Sequence, residues 1–267
     1  MVNAEDHCAI NVALYPLYRA CGGWWAMTER SGSALQRGPD LLSIGTSSLR
    51  LGAHELLIDI DEIAIPKLTR LRGTVRFSAP AFGATSFALD VSGQHRWQPL
   101  APQAAVDVAF DSPAMRWRGS GYFDTNHGQR PLEQDFNTWS WSRTPLRDGS
   151  TAVLYESQPQ VGAQRLLALR FNDQTSPAAF EPPAEVTLPR TRWGIDRVTR
   201  SDLTAATRIV RTLEDGPFYA RSLLQTSLCE SPGLAFHESL SLTRFRKPWV
   251  QALLPFRMPR RGRFGRD

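Results

Sequence analysis

Gly119 to Arg143 reads GSGYFDTNHGQRPLEQDFNTWSWSR, and its spacing decides between strand and helix. Tyr122, Asp124 and Asn126 fall at every second position, as do Trp139 and Trp141, and a period of two puts each set on one face of an extended strand. Between the sets, Gly128 and Pro131 punctuate a turn. The stretch therefore predicts strand, loop, strand, with a carboxyl group near the end of the first strand and an aromatic pair on the second.

The same period extends outward. Leu56 to Ile65 contains Ile58, Asp59, Ile60 and Asp61 in strict alternation, the mark of a half-buried strand. Thr74 to Phe77, Ser86 to Val91, His95 to Leu100 and Ala105 to Phe110 are short runs bounded by Gly, Pro or Ser-rich breaks. Ser92 and Gly93 signal a hairpin that lays the His95 strand antiparallel to the one before it. Ile10 to Leu14 and Trp24 to Met27 suit an earlier hairpin. After Arg143, Thr151 to Glu156, Arg165 to Phe171, Arg208 to Leu213, Tyr219 to Ser227 and Phe236 to Phe245 read as strands, with a proline-rich connector from Ser176 to Arg190. Ser201 is placed to cap a short helix before Ile209, Arg211 and Leu213. Many short strands with almost no helical period indicate an antiparallel barrel or sandwich. No internal repeat at a fixed period appears, and the expected division is into two consecutive all-β units, 1–135 and 136–267.

Composition excludes several classes. At 267 residues, 42% hydrophobic and 21% charged, the chain has no apolar run near the roughly 20 residues of a membrane-spanning helix. It begins without a basic region followed by an apolar one, so the expected compartment is the cytoplasm. Cys8, Cys21 and Cys229 lie at no metal-ligand spacing and are expected to be reduced and buried. The net charge of +5 comes almost wholly from arginine, since Lys67 and Lys247 are the only lysines. The excess is heaviest in FRMPRRGRFGRD at the C-terminus, which reads as a solvated basic tail or as a peripheral contact with an anionic membrane surface. Pro255 and Pro259 argue against a regular amphipathic helix there. No nucleic-acid-binding motif accompanies the charge, and nucleic acid is not an expected partner.

The inventory of chemistry begins with exclusions. There is no Gly-rich phosphate loop, no histidine pair at helical metal spacing, no nucleophile elbow and no dinucleotide fingerprint. Metal, nucleotide and acyl-enzyme mechanisms are poorly supported. Tyr122 and Asp124 can be read as a rim tyrosine and a turn-forming aspartate with Thr125 and Asn126. Pointed into an apolar barrel, Asp124 would instead have its pKa raised by desolvation and serve as a general acid near neutral pH. His95 and Trp97 also share a face, which suits a packed pair as well as a site. Trp139 and Trp141 fill a core or form a π-rich wall for a long apolar ligand or a developing cation.

The chain resembles the carotenoid 1,2-hydratases, or hydroxyneurosporene synthases, of bacterial carotenoid biosynthesis. The residues that carry the likeness are DHCAINVALY, WAMTER, HRWQPLAP, DSPAMRWRGSGYFDTNHGQRPLEQDFNTWSWSR, RTLEDGPFYARSLL, HESLSLTRF and LLPFRMPRR, in order over nearly the whole chain. The resemblance implies two lipocalin-like (calycin-type) antiparallel β-barrel domains. It also implies a cofactor-independent addition of water to the terminal C1=C2 double bond of acyclic carotenoids such as neurosporene and lycopene. It puts the family's acid on Asp124 with Tyr122 beside it, and its His and Trp on His95 and Trp97; from their strand faces, Trp139, Trp141 and Asn126 are the expected substrate-binding residues. Family members carry further residues, including a strand, ahead of the DHCAINVALY segment, so the first barrel is expected to lack one strand. The competing expectations are a lipocalin-like carrier of an isoprenoid and an acid-initiated cyclase or isomerase. A carotenoid substrate also implies peripheral contact with the inner membrane.

Overall fold

The computed structural model describes residues 3–16, 23–172 and 176–260. Alternating and aromatic-rich runs form antiparallel strands throughout, and the chain falls into two compact units. One comprises Met1–Phe82, Ala104–Gly121 and Ala252–Asp267, the other Gly83–Gln103 and Tyr122–Gln251. The units are interleaved along the sequence, where the sequence reading draws one boundary at 135/136.

In the first unit the expected early hairpin forms from β1 (Asn11–Leu14) and β2 (Trp24–Met27), with Leu14 opposite Trp24. A meander follows through β3 (Leu35–Arg37), β4 (Leu41–Ile44), β5 (Ser47–Leu51), β6 (Glu55–Ala64) and β7 (Thr69–Ser78). It continues onto part of β9 (His95–Ser112) and of β10 (Ala114–Gly128), in the order β10-β9-β7-β6-β5-β4-β3. β6 obeys its alternation, burying Leu56, Ile60, Glu62 and Ala64. Ile60 and Ala64 join Val12, Ala26, Leu71, Val108 and Phe110 in the core.

Glu62 occupies an inward position because its charge is met there. Arg30 Nη2 donates to Oε2 at 2.7 Å and Ser47 Oγ to Oε1 at 2.8 Å, while Arg30 Nη1 donates to the Thr28 carbonyl at 3.1 Å. Gly45, at a φ of +65°, leaves the room the Arg30 side chain occupies.

The second unit begins with β8 (Phe87–Ala88), which pairs antiparallel with β9 through Phe87↔Trp97 and Ala88↔Arg96, as the Ser92-Gly93 hairpin signal requires. Only these two residues of Ser86 to Val91 are strand, because the Asp90 carboxylate turns the chain, accepting from Ser92 Oγ and the His95 backbone N–H. The seven-stranded sheet has the order β14-β13-β12-β11-β19-β18-β17. Its members are β11 (Phe136–Pro145), β12 (Thr151–Pro159), β13 (Arg165–Phe171), β14 (Ala178–Ala179), β17 (Arg208–Asp215), β18 (Tyr219–Leu228) and β19 (Ser231–Ser241). The proline-rich connector carries β14 and β15 (Glu185–Leu188), and β15 pairs with β16 (Arg197–Arg200). The core gathers Leu89, Trp97, Phe136, Val153, Tyr155, Leu169, Phe171, Leu240 and Leu242.

The all-β, antiparallel expectation is met, while neither main sheet closes into a barrel among the described residues. Several boundaries differ from the sequence reading. His95 to Leu100 and Ala105 to Phe110 form one strand, β9, running through Pro99 and Pro102. Both prolines lie after the two-residue ladder with β8 and before pairing with β7 begins at Ala105, where that side of the strand does not need their missing N–H. β19 stops at Ser241, whose side chain accepts from Arg244 N and starts α2 (Leu242–Phe245), so Phe236 to Phe245 is strand then helix. Ser201 caps no helix: a 3-10 turn at Thr204–Ala206 follows Leu203, and the Ser201 hydroxyl bonds the backbone of Ser227.

The basic segment expected to be irregular instead forms α3 (Pro248–Arg257) with Pro255 inside it. Pro248 needs no intrahelical N–H bond in the first turn, and Pro255 removes one bond close to the helix end. Nor is the segment simply solvated through Arg260. Arg257 stacks on Trp25 at 4.3 Å and its carbonyl accepts the Trp25 indole N–H, while Glu29 N donates to Pro259 O at 3.1 Å. Residues 261–267 lie outside the described residues, as does Cys21. Cys8 and Cys229 are free and partly exposed rather than buried.

Removing one partner of the Arg30–Glu62 pair leaves a buried charge uncompensated. Glu62→Ala is expected to lower unfolding free energy by about 3–5 kcal/mol. Urea denaturation monitored by tryptophan fluorescence measures this, and a loss below about 1 kcal/mol would refute the buried-pair account.

Candidate active site

The site is built by β9 and β10 within the second unit. Along β9, alternation buries His95, Trp97, Pro99 and Ala101 on one face, and Trp97 has 0% of its surface exposed. Its indole Nε1 donates to Asp124 Oδ2 at 2.7 Å. From β10, the Tyr122 hydroxyl donates to the same oxygen at 2.9 Å, an arrangement its two-residue separation from Asp124 allows. Two donors thus converge on one carboxyl oxygen.

Rings enclose the group. Trp97 lies 5.5 Å from Phe87, 5.4 Å from Tyr155 and 6.4 Å from Phe171 between ring centroids, and Tyr122 lies 5.0 Å from Trp141. Trp139 meets Tyr155 edge-on at 6.0 Å. The Arg143 guanidinium sits 5.9 Å from the Tyr122 ring centroid.

This enclosure governs the charges. Burial raises the Asp124 pKa above the usual carboxylate value; the Trp97 and Tyr122 hydrogen bonds pull it down without cancelling the rise, and Glu238 adds to it. Tyr122 is pushed well up by burial and then by Asp124. Tyr155 is raised by burial, then by Asp124 and Glu238. Burial lowers Arg143. The carboxyl group therefore resists ionisation while its immediate partners are poised as hydrogen-bond donors.

Of the residues singled out from sequence, the structure joins Trp97, Tyr122 and Asp124 directly. Trp141 packs on Tyr122, Trp139 on Tyr155, and Asn126 Oδ1 accepts from Tyr155 OH at 3.2 Å. His95 shares the Trp97 face but turns to other partners. Its Nε2 pairs with Asp135 Oδ2 at 2.7 Å, its ring meets Phe136 edge-on at 5.0 Å, and a Cβ on Gly128 would collide with Nδ1. Asp135 closes the short helix α1 (Leu132–Asp135). His95 pairs with Asp135 while Trp97 and Tyr122 pair with Asp124, so these are separate hydrogen-bonded groups rather than one dyad.

Tyr155, Arg143 and Asp135 were not found by spacing. Arg143 carries a usable signal, since it continues the parity of Trp139 and Trp141. β12 offers none for Tyr155, because Thr151 to Ser157 is buried without alternation. A cavity of about 220 Å³ is lined by Trp139, Ser140, Glu156 and Ser239, and one of about 420 Å³ in the first unit by Arg30, Glu62 and Arg70; Asp124 lines neither.

The raised pKa of Asp124 has a stability consequence. Below the unfolded-state value both states hold the proton; as pH rises through the higher folded value the native state must ionise a desolvated group, and stability is lost. Asp124→Asn is thus expected to gain stability relative to the parent as pH rises from about 4 to about 9. Thermal melts across that range check this, and a difference independent of pH would contradict it.

The profile of the family described as carotenoid hydratase CrtC matches residues 2–266. The acyclic carotenoid 1,2-hydratase of Thiocapsa roseopersicina is 46% identical over 258 residues, and that of Rubrivivax gelatinosus 39% over 257. Each alignment covers 96% of this chain and 63% of the relative, so the chain spans under two thirds of those two proteins. The acyclic carotenoid 1,2-hydratase of Rhodobacter capsulatus is 37% identical, with 96% of this chain and 90% of the relative aligned. No solved structure gives a significant match. Matched along almost its whole length by the family profile, the chain belongs to the carotenoid hydratase CrtC family.

Proposed function

We propose that this protein adds water across the terminal C1=C2 double bond of an acyclic carotenoid, with Asp124 as the proton donor. The observation that carries the reading is the Asp124 carboxyl group, held by two donors on Oδ2 and desolvated by the surrounding rings. An alkene is a very weak base, so the first step needs an acid that still holds its proton near neutrality. The convergence of Trp97 and Tyr122 on Oδ2 leaves Oδ1 to carry that proton.

The alkene π pair takes the proton at C2, leaving Asp124 as a carboxylate and C1 as a tertiary cation. The indole and phenol N–H and O–H groups on Oδ2 strengthen as the carboxylate forms, so they favour the transition state over the resting acid. Aromatic faces near the reacting carbons stabilise the cation without trapping it covalently. Water then attacks C1, and the Asp124 carboxylate removes the extra proton, which restores the acid and yields a tertiary alcohol. The net change is one water gained, and no cofactor is required. His95, bound to Asp135, is a positioning residue in this scheme: it braces the β9 face that presents Trp97.

Expression in bacteria that accumulate neurosporene or lycopene tests the reading. A product heavier by one water, absent with Asp124→Asn although that variant still binds the carotenoid, is expected. An isomeric product of unchanged mass would point to cyclisation or isomerisation, and wild-type turnover by Asp124→Asn would remove the acid from the mechanism. Tyr122→Phe loses one hydrogen bond to the forming carboxylate and is expected to reduce kcat about 10- to 100-fold with little change in KM. Single-turnover assays on purified protein separate the two constants.

A further inference from the structure

Water must reach C1 from a fixed direction, and the polar groups around Asp124 differ in whether they are free to hold it. Trp97 Nε1 and the Tyr122 hydroxyl are committed to Asp124 Oδ2. His95 Nε2 is bound to Asp135, and Ser157 Oγ, two residues from Tyr155 on β12, donates to the Leu89 carbonyl at 2.9 Å. Glu238, opposite Trp141 on β19, accepts from Arg221 at 2.6 and 2.9 Å. Tyr155 is placed differently.

Tyr155 is tied to the acid from several sides. Its ring lies 5.4 Å from Trp97, the indole that donates to Asp124. It stands opposite Trp141 in the ladder of β11 and β12, and Trp141 lies 5.0 Å from Tyr122, the phenol that donates to Asp124. Its hydroxyl donates at 3.2 Å to Oδ1 of Asn126, which shares a strand face with Asp124 two residues away, about 7 Å along β10. The side chain is buried, and burial, then Asp124, hold its pKa up, so the phenol keeps its proton.

A phenol has one hydrogen to give, and Asn126 takes it. The Tyr155 oxygen is left to accept. An attacking water needs acceptors of this kind: when its hydrogens are donated away, a lone pair stays free for carbon, whereas a donor aimed at its oxygen would engage that pair. We propose that the Tyr155 hydroxyl oxygen and Asp124 Oδ1 hold the nucleophilic water between them, with Asn126 as the positioning residue that fixes the phenol hydrogen. This rests on the reading of Asp124 as the acid. Once Asp124 has protonated C2, the water donates one hydrogen to Tyr155 and the other to the new carboxylate. Its lone pair forms the C–O bond at C1 while the second hydrogen passes to Asp124, and the first stays on the product hydroxyl.

An uncaptured cation separates this role from proton donation. Without water at C1, the Asp124 carboxylate takes a proton back from carbon. Taken from C2 it regenerates the substrate; taken from a methyl on C1 it gives an isomer whose double bond has moved to that methyl carbon. Single turnover of the purified protein with lycopene in D2O reads the partition by mass, since the alcohol gains the elements of D2O and the isomer exchanges one hydrogen for deuterium. In Tyr155→Phe the ratio of alcohol to isomer is expected to fall about tenfold, and in Asn126→Ala, at an exposed position, several-fold. A ratio unmoved in Tyr155→Phe, or alcohol lost with no isomer formed, overturns the proposal. If Tyr155→Phe does not fold, Asn126→Ala carries the test alone. Asp124→Asn is expected to give neither product. An unmoved ratio beside an inactive Asp124→Asn rejects the water site and leaves the acid, whereas full hydration by Asp124→Asn rejects the acid itself.

Discussion

A carboxyl group withdrawn from water keeps its proton unless donors make the charge tolerable, and Asp124 is under both influences. Trp97 and Tyr122 offer hydrogen bonds to one oxygen, while the rings of Phe87, Trp141 and Tyr155 around those two residues keep solvent away. The outcome is a carboxyl group whose pKa is raised by burial, with hydrogen-bond donors already in place for its charged form. Much of the second unit can be understood from this requirement. β9 must bury a tryptophan with its N–H aimed at β10, and β11 must turn its large residues to the same side. The sheet beyond must place its charges in ion pairs.

β11 shows how one strand satisfies opposed demands. Trp139, Trp141 and Arg143 face the acid's side, while Ser140 and Ser142 alternate with them and face the other way, where Ser142 is buried. A one-residue slip in register would exchange indoles for hydroxyls. The register is held from both sides, by β12 with Trp141 opposite Tyr155 and by β19 with Trp141 opposite Glu238.

Local period made part of this legible. Two-residue spacing puts Tyr122 and Asp124 on one face, while Trp97 is assigned to the same site only by the family resemblance. The same spacing grouped His95 with Trp97, but a shared face does not fix the partner, and Asp135 takes His95. Glu238 and Tyr155 were hidden for a different reason: their place depends on which strands lie side by side, and β19 neighbours β11 across a long stretch of chain. Prolines misled in both directions. Pro102 falls in the break between the two runs read from sequence, and Pro255 reads as a helix breaker, yet each falls where the missing N–H has little to bond.

The interleaving of the two units bears on how the molecule can be assembled. β9 and β10 each give half their length to either unit, and buried positions along β9 change parity on the way, from Trp97 and Ala101 to Val108 and Phe110. Residues 252–260 then return to the unit that the earliest residues begin, where Glu29 and Trp25 bond their backbone. During synthesis on the ribosome, the unit that starts first is therefore the last to receive all its parts. An intervening stretch of more than a hundred residues can fold before that clasp closes, and no single cut of the polypeptide yields either unit whole.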